Sequence, residues 1–382
     1  METTRRRKKT TDSIRAGFTL VELLVVITII GILAALITVA AAGALKRAHQ
    51  AQIKTEMNQI DMAFQTYKDK FGSYPPNCQV DGGGTATGTP IDESQVLTDL
   101  IRHFKQAFPR HREQPALIAA LAGLDANGAP LSGTQGLQGG MTAGEAIVFW
   151  LGGFSSDPKY PISGEGGPSY APRIIDSSAT AANYRKLDPI TSRSWIMPLA
   201  VNRLGLRDSD GYFPSSTDTD ATLAAVGNRY IEYDVTINGV TTHRRINFWQ
   251  YVPAKSVQPY LYFDTSRHPA VDTVTAAGQY RATFDPPAAT ALATGLASNV
   301  FAIKKLGEST AVPVQFANAD KFQILHAGID DEWGDDFKKM TALYVTAPND
   351  ATTYLLFPTG PFTGDVADTI VNFSEATLSA SQ

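Results

Sequence analysis

A long apolar run near the N-terminus most constrains what this chain can become. From Phe18 to Leu45 the only ionisable side chain is Glu22, and Lys46 and Arg47 end the run. As a helix rising about 1.5 Å per residue, the run reaches roughly 40 Å, which exceeds the roughly 30 Å hydrocarbon core of a bilayer. The sequence therefore predicts one membrane-spanning helix.

The charges before the run predict how this helix is oriented. Six basic residues precede it, against two acidic ones. A basic flank of this kind holds an N-terminus in the cytoplasm. The rest of the chain is then expected outside the cytoplasm.

Glu22 needs a partner, because a carboxylate inside hydrocarbon costs a few kcal/mol even on lenient insertion scales. Arg15 lies about two turns before it, at the edge of the membrane. A cut after Gly17 would create a second candidate, since the new α-amino group on Phe18 would stand four residues before the carboxylate. That amine could neutralise Glu22 of its own chain or of a neighbouring subunit.

The same stretch resembles a known N-terminus. A basic leader ending in Gly17, followed by Phe-Thr-Leu-Val-Glu-Leu-Leu-Val-Val and an apolar helix, closely resembles type IV pilins and type II secretion pseudopilins. The resemblance implies a leader of residues 1–17, cleavage between Gly17 and Phe18 by a prepilin peptidase that also N-methylates Phe18, and a role for Glu22 in docking subunits. It also implies a single-pass protein of the inner membrane whose partners are lipid, an inner-membrane assembly platform and other pilin-like subunits.

Two simpler interpretations of the run are a secretory signal peptide and a plain membrane anchor. A secretory signal peptide has an apolar core of about 7 to 15 residues, and this run is nearly twice as long, although Ala40-Ala41-Ala42 resembles a small-residue cleavage site. A plain single-span anchor explains the length of the run. It explains neither Glu22 nor the junction of Gly17 and Phe18.

The helix is expected to continue beyond the membrane. Apolar residues recur at spacings of three and four, which places them on one helical face: Ile53, Met57, Ile60, Phe64, Tyr67 and Phe71. Gly72 and Pro75-Pro76 then end the helix. The sequence predicts one helix from Phe18 to Phe71, with residues 18–45 in the membrane and an amphipathic half, 46–72, packed on an extracytoplasmic head of residues 73–382.

The head is predicted to be α+β. Helices are expected around 96–108, over 115–124 and from Thr142, where Thr142 and Glu145 have the spacing of a capping box. Asn238-Gly239 joins two β-rich runs and is a strong hairpin signal. The strand candidates are 230–237, 240–248, 258–263, 301–303, 321–326 and 353–357. They predict one antiparallel sheet of about four to six strands on the apolar face of the long helix, as in pilins.

Two stretches of the head have no predicted regular structure. Residues 152–228 are rich in Gly, Pro, Ser and Asp and are predicted to form a large irregular insertion; loops of this length are often functional when ordered. Arg110, His111 and Arg112 form a small basic patch. This patch is either a solvated turn or an anion site.

Charge and cysteine content argue against several other roles. The formal net charge is −4, and loss of a leader with six basic and two acidic residues takes it to −8. So acidic a protein is a poor candidate for binding nucleic acid. Cys78 is the only cysteine, so no intrachain disulfide can form, and no histidine stands at a recognisable catalytic spacing from it.

An acidic segment near the C-terminus is the candidate metal site. Five carboxylates fall within residues 330–336, and calcium accepts six to eight oxygens from flexible loops of this kind. The segment resembles the C-terminal calcium loop of G-type pseudopilins, with 366–373 as its closing stretch. The resemblance implies Asp330, Asp331, Asp335 and Asp368 as calcium ligands, and a solvated acidic turn is the alternative.

The chain has no recognisable enzyme signature. It lacks a Gly-x-Ser-x-Gly elbow, a Walker A loop, a His-Glu-x-x-His motif and a cysteine or histidine cluster suited to zinc. We therefore expect a structural subunit of a type II secretion pseudopilus or a type IV pilus, not an enzyme. The alternative is a minor or tip pilin that binds cargo or a surface through residues 152–228.

Overall fold

A computed structural model describes most of the chain beyond the leader. The described residues are 19–76, 78, 93–129, 131, 137, 140–164, 166–168, 193–200, 203–205, 229–237, 239–267, 281–282, 300–309, 312–333, 356–358, 360, 362, 364–375 and 377–378. The chain divides into two compact units between His49 and Gln50, and each unit is described by itself below. The domain boundaries expected from the sequence stay predictions.

Four α-helices occur among the described residues: α1 Leu20–Phe71, α2 Glu93–Ala107, α3 Pro115–Leu121 and α4 Ala143–Leu151. The first half of α1, in the N-terminal unit, is exposed along its length. An 18-residue window of α1 has a mean hydropathy of 3.0 and contains no buried residue. By length and composition alone, α1 is able to cross a membrane.

The strands of the second unit are short, apart from one hairpin. They are β1 Phe154–Ser155, β2 Arg193–Ser194, β3 Leu204–Gly205, β4 Arg229–Ile237, β5 Val240–Phe248, β6 Gln250–Tyr251, β7 Leu261–Phe263, β8 Arg281–Ala282, β9 Val300–Phe301, β10 Lys304–Ser309, β11 Val312–Phe316, β12 Gln323–His326, β13 Leu356–Phe357 and β14 Ile370–Val371. The expected α+β class is confirmed. The predicted hairpin is present, with β4 and β5 paired over their full length.

The expectation of one antiparallel sheet was wrong in its detail. The described strands form several sheets of two or three strands, of which the largest have the orders β14-β12-β7 and β11-β10-β13. Within the second of these, β10 and β13 run parallel. The apolar face of α1 is therefore covered by several small sheets and by helices, because most strands are only two or three residues long.

The amphipathic half of α1 forms the centre of the second unit. All six residues of the predicted stripe are buried: Ile53, Met57, Ile60, Phe64, Tyr67 and Phe71. The ring of Phe64 stacks on Tyr262 of β7 with ring centroids 4.1 Å apart. Tyr67 donates or accepts a 2.8 Å hydrogen bond with the buried His103 of α2. Burial, followed by the charge of Arg267, lowers the pKa of His103 to about 3, so the imidazole is neutral.

The two shorter helices on this core begin at recognisable signals. Helix α3 starts at Pro115, a residue suited to the first helical position. Helix α4 starts with the predicted capping box: the backbone N–H of Thr142 donates to Glu145, and the backbone N–H of Glu145 donates to the Thr142 hydroxyl. Every residue of α4 is buried. Helix α4 is therefore part of the core.

The range 152–228, expected to be an irregular insertion, is attached to the core where it is described. Strand β1 pairs with β2, and β3 pairs with β6. Its apolar side chains at these points are buried, namely Phe154, Ile162, Leu199 and Leu204. The buried Glu113 accepts hydrogen bonds from the backbone N–H groups of Ile162 and Ser163, at 2.7 and 2.9 Å. The described parts of this range are thus short strands and turns within the head.

Lys304 gives the head a testable dependence on pH. It is 5% exposed, between Phe316 of β11 and Leu356 of β13, and burial lowers its pKa to about 7. Between pH 7 and the ordinary lysine value near 10.4, the unfolded chain binds a proton that the folded chain does not. The free energy of unfolding is therefore expected to rise with pH over this window, by at most about 1.4 kcal/mol per unit from this group.

A Lys304→Met variant is expected to be more stable at pH 7 and to lose this slope, because it removes the buried ammonium. The measurement is urea unfolding of the full-length protein in detergent between pH 7 and 9. Lys305→Met is the matched control, since its side chain is only half-buried on the same strand. Equal slopes for Lys304→Met and the wild type would contradict the prediction.

Candidate functional site

The first turn of α1 is closed by its own side chains. The backbone N–H and the hydroxyl of Thr19 both donate to Oε2 of Glu22, at 2.9 and 2.8 Å, and the Glu22 N–H donates to the Thr19 hydroxyl at 3.2 Å. This is a capping box. It satisfies backbone donors that a helix N-terminus otherwise leaves without partners, which matters most where water is scarce.

The capping box engages only one oxygen of the carboxylate. Within the described residues, Oε1 of Glu22 accepts no hydrogen bond, and both Thr19 and Glu22 are exposed. Glu22 can therefore hold the start of its own helix while its second oxygen and its charge remain available to a cation. Gly17 and Phe18, the residues of the predicted cleavage site, lie outside the described residues.

The sequence analysis did not predict this capping box, although its spacing is present. Thr19-Leu-Val-Glu22 has the same Thr-x-x-Glu spacing that was recognised at Thr142 and Glu145. Glu22 therefore has a second role besides its charge, as part of the helix start. The spacing explains why a carboxylate at this position is compatible with a helix that begins at Leu20.

The acidic segment is held against the loop that precedes β7. Asp331 adopts a left-handed backbone conformation with φ of 60°. Its carboxylate accepts hydrogen bonds from the Ser256 hydroxyl and from the Val257 N–H, the latter at 3.1 Å. The indole N–H of Trp333 donates to the Gln258 side chain at 3.0 Å. These contacts fix the direction of the segment.

The closing stretch meets the acidic segment. Asp368 accepts a 3.1 Å hydrogen bond from the Ile329 N–H. Gly328 has φ of 104°, and a Cβ there would lie 2.6 Å from the Asp368 carbonyl oxygen, so only glycine fits this approach. The structure thus brings the segments of Asp331 and Asp368 together. Asp330 is exposed nearby, and Asp335 lies outside the described residues.

Folding also assembles a Ser256, His326 and Asp331 cluster that sequence spacing could not indicate. Nδ1 of His326 accepts a hydrogen bond from the Gly328 N–H at 3.1 Å, so the proton of the neutral ring is on Nε2, which lies 3.1 Å from both the Gln258 carbonyl oxygen and the Ser256 hydroxyl. The serine hydroxyl donates to Asp331. A catalytic triad needs the opposite arrangement, with an unprotonated Nε2 facing the serine. The cluster connects the loop to β12.

Comparison with known proteins then gave one match. The family described as the prokaryotic N-terminal methylation motif matches residues 13–38. The chain carries a prepilin-type motif. No curated protein and no solved structure matches the chain.

The prepilin-type motif covers the junction of Gly17 and Phe18, the capping box and Glu22. The motif is the one found in type IV pilins and pseudopilins, so it supports a pilin-like protein and implies processing by a prepilin peptidase and assembly with other pilin subunits. Together with α1, the one helix among the described residues that is long and apolar enough to cross a membrane, it suggests a single-pass membrane-anchored protein. The motif is one of structural pilins and not of an enzyme family.

Calcium binding by Asp330, Asp331, Asp335 and Asp368 stays a prediction. Among the described residues, no group of three or more ligating His, Cys, Asp or Glu side chains has the arrangement of a metal site. If the ion binds, it must compete with Ser256 and Val257 for Asp331. The test is the Tm of the full-length protein with calcium and with a chelator, for the wild type and for Asp368→Asn. A chelator-induced decrease that Asp368→Asn abolishes is the predicted result, and equal Tm values would exclude it.

An ionic cluster between α1 and the range 152–228 was not foreseen. The guanidinium of Arg203 forms a two-pronged pair with Glu56 of α1, and its Nε–H donates to the Val252 carbonyl at 2.8 Å. The hydroxyls of Tyr251 and Tyr260 also donate to Glu56, at 3.1 and 2.8 Å. No spacing in the sequence indicates this pairing of residues 147 positions apart. It attaches the segment around Arg203 to the long helix.

Proposed function

We propose that this chain is a structural subunit of a type II secretion pseudopilus or a type IV pilus, processed between Gly17 and Phe18 and polymerised through α1. The observation that carries the proposal is Glu22, which is the only ionisable residue of the apolar run and lies within the matched motif. A helix intended only as an anchor gains nothing from a charge at this depth. In a helix that assembles with other helices, the carboxylate can pair with the amino terminus of a neighbouring subunit.

The proposed cycle begins in the inner membrane with the N-terminus in the cytoplasm and the head outside. Basic residues before the apolar run support this orientation. A prepilin peptidase removes residues 1–17 and N-methylates Phe18. The new amino terminus of one subunit then pairs with Glu22 of its neighbour on an inner-membrane assembly platform, where lipid surrounds both helices.

The decisive experiment is the mass of the N-terminal peptide of the protein extracted from membranes. A peptide that begins at N-methylated Phe18 is expected. Gly17→Val is the control, because a branched side chain at the bond to be cut should leave the leader attached. A peptide that begins near Met1, or after residues 40–42, would overturn the proposal and leave a plain anchor or a secreted protein.

A second candidate function is a minor or tip pilin that binds cargo or a surface through the range 152–228. The observation that favours it is the attachment of this range to the core at β1, at β3 and through Arg203, which would transmit force from a bound partner to α1. Subunits that tile a filament have no need of so long a range.

Deletion of residues 169–192 separates the two candidates, because the described contacts of the range with the core lie outside these residues. A structural subunit should still be processed and assembled in wild-type amount after this deletion. A binding subunit should assemble normally and lose recognition of its cargo or surface. Loss of assembly with a folded head would count against the binding role.

A further inference from the structure

Two charged residues of α1, Lys54 and Glu56, hold distant parts of the head at the point where the helix enters it. They are the first charged residues after Gln50, where the second unit begins. Ile53, next to Lys54, is the first buried residue of α1. At 3.6 residues per turn, Lys54 and Glu56 lie on opposite sides of Ile53 around the helix. A cation and an anion therefore flank the start of the buried stripe.

Glu56 is held by side chains that donate to it. Its partner Arg203 has a side chain that is 19% exposed, with the guanidinium 4.6 Å from the ring centre of Tyr251. Burial, followed by the negative charge of Glu56, raises the pKa of Tyr251 to about 12 and also raises that of Tyr260, so both hydroxyls keep their protons. Tyr260 Oη also lies 3.2 Å from the Ile53 carbonyl oxygen. Loss of the Glu56 carboxylate would remove the acceptor of a mostly buried cation and of two hydroxyls.

Lys54 holds the C-terminal stretch on the other side of the stripe. Its ammonium donates to the carbonyl oxygens of Val371, at 2.5 Å, and of Ser374. Val371 belongs to β14, which pairs with β12. Two turns further along α1, Asp61 accepts a 2.7 Å hydrogen bond from the Asn372 amide. Lys54 thus begins a two-point attachment of the last described strand to the long helix.

The proposed assembly acts on the other half of the same helix. Glu22 lies in the N-terminal unit, whose described residues up to Ala48 are exposed, whereas the head belongs to the second unit. A docked helix can therefore orient the head only through contacts that begin at Ile53. Lys54 and Glu56 supply the polar part of this first set of contacts.

We propose that Lys54, Glu56 and Arg203 form an entry clamp that fixes the head to α1 and orients it during assembly. This inference rests on the proposed function, because it assigns positioning residues to polymerisation through α1. Apolar burial is non-directional, so the stripe alone does not fix the rotation of the helix. Two-pronged, charge-assisted hydrogen bonds add geometric specificity, and the entry clamp supplies them where the helix enters the head.

The first test measures whether α1 detaches locally at the entry clamp. A thiol introduced by Ile53→Cys can react with a maleimide only when this part of the helix leaves the head, because Ile53 is 1% exposed. Cys78 is equally buried, and burial raises the pKa of its thiol, so it reports opening of the core. Both reaction rates are read by mass spectrometry of the full-length protein in detergent. Glu56→Gln should increase the rate at position 53 about tenfold.

Leu100→Ala is the matched control for stability. Leu100 is fully buried on α2, so its truncation lowers the stability of the head without removing a contact of the entry clamp. It should increase the rate at Cys78 and change the rate at position 53 by less than about twofold. A similar increase at position 53 for Leu100→Ala and Glu56→Gln would show that this part of α1 opens only when the whole head unfolds.

The second test compares assembly with stability. Glu56→Gln combined with Lys54→Met removes both sides of the entry clamp and should lower the filament fraction about tenfold relative to processed protein. Leu100→Ala should lower it by at most about twofold. Arg203→Lys keeps the charge and loses the two-pronged geometry, so it should fall between the wild type and the double variant. Urea unfolding of each variant gives the stability against which the filament fractions are compared.

The outcomes separate the entry clamp from the function on which it rests. An unchanged rate at position 53 in Glu56→Gln, or a double variant that assembles as well as Leu100→Ala, overturns the proposal. The labelling needs no filament, so it is independent of the proposed function. If Glu22→Ala assembles as the wild type, the proposed function fails, and the assembly role of the entry clamp fails with it.

Discussion

Replacing Glu22 by Gln is expected to leave cleavage and N-methylation intact and to reduce incorporation into filaments about 100-fold. Gln at the third helical position still accepts from the Thr19 N–H, so the capping box and the start of α1 are retained. Only the charge is lost. A charge pair in hydrocarbon is worth a few kcal/mol, and each 1.4 kcal/mol is tenfold in an equilibrium. The measurement is the sheared filament fraction relative to processed protein in the membrane.

Two further variants separate the roles of Glu22. Glu22→Ala removes both the charge and the capping box, and it should assemble no better than Glu22→Gln. Thr19→Val removes the hydroxyl and keeps the charge, so it should be processed and should assemble in a substantial amount. Normal incorporation of Glu22→Gln would show that the carboxylate serves the helix start alone.

Replacing Phe64 by Ala is expected to destabilise the head by about 3–5 kcal/mol. Phe64 is fully buried on α1, stacked on Tyr262 and 5.2 Å from the ring of Phe322. Truncation leaves a cavity between the long helix and β7 that the short strands around it cannot fill. The measurement is urea unfolding of the full-length protein in detergent, followed by intrinsic tryptophan fluorescence, to which the fully buried Trp150 and Trp249 contribute.

Met62→Ala is the matched control on the same helix. Met62 lies two residues before Phe64 and is 59% exposed, so its truncation should change the free energy of unfolding by less than about 0.5 kcal/mol. A change below about 1 kcal/mol for Phe64→Ala would mean that the amphipathic half of α1 is not packed on the head as described.

The parts of the fold that were predictable depend on neighbours in sequence. The stripe on α1 follows from spacings of three and four, and the start of α4 follows from Thr142 and Glu145. Asn238-Gly239 is sufficient for the hairpin of β4 and β5. In each case the signal lies within one local stretch of sequence, so it can be interpreted without knowing the tertiary contacts.

The parts that were missed depend on pairing across long distances. Strand β12 pairs with β14 and β7, and β10 pairs with β13 about fifty residues later. Strand β10 begins at Lys304 and Lys305, where no strand was predicted, because burial of a lysine is not visible in sequence. Arg203 and Glu56 meet only after both segments reach the core.

Part of the candidate site was also accessible from sequence. Glu22 stands out because a charge in an apolar run is costly, and its surroundings confirm a local motif through Thr19. The hydrogen bond from Ser256 to Asp331 could not be predicted, because a carboxylate in an acidic run does not indicate which distant residue it will contact. Resemblance pointed to the meeting of residues 328–331 with Asp368 but not to its hydrogen bonds.

The hydrogen bonds from Lys54 to the carbonyl oxygens of Val371 and Ser374 limit how early the head can fold during synthesis. The first helix of the head receives its last partners from residues 320 positions later. At about 5–20 residues per second, synthesis of that interval takes roughly 16 to 64 s. During this time the apolar stripe of α1 has been synthesised and β14 has not. The stripe of α1 therefore waits for its last partners through most of synthesis, and the head can finish folding only after residue 374 has been made.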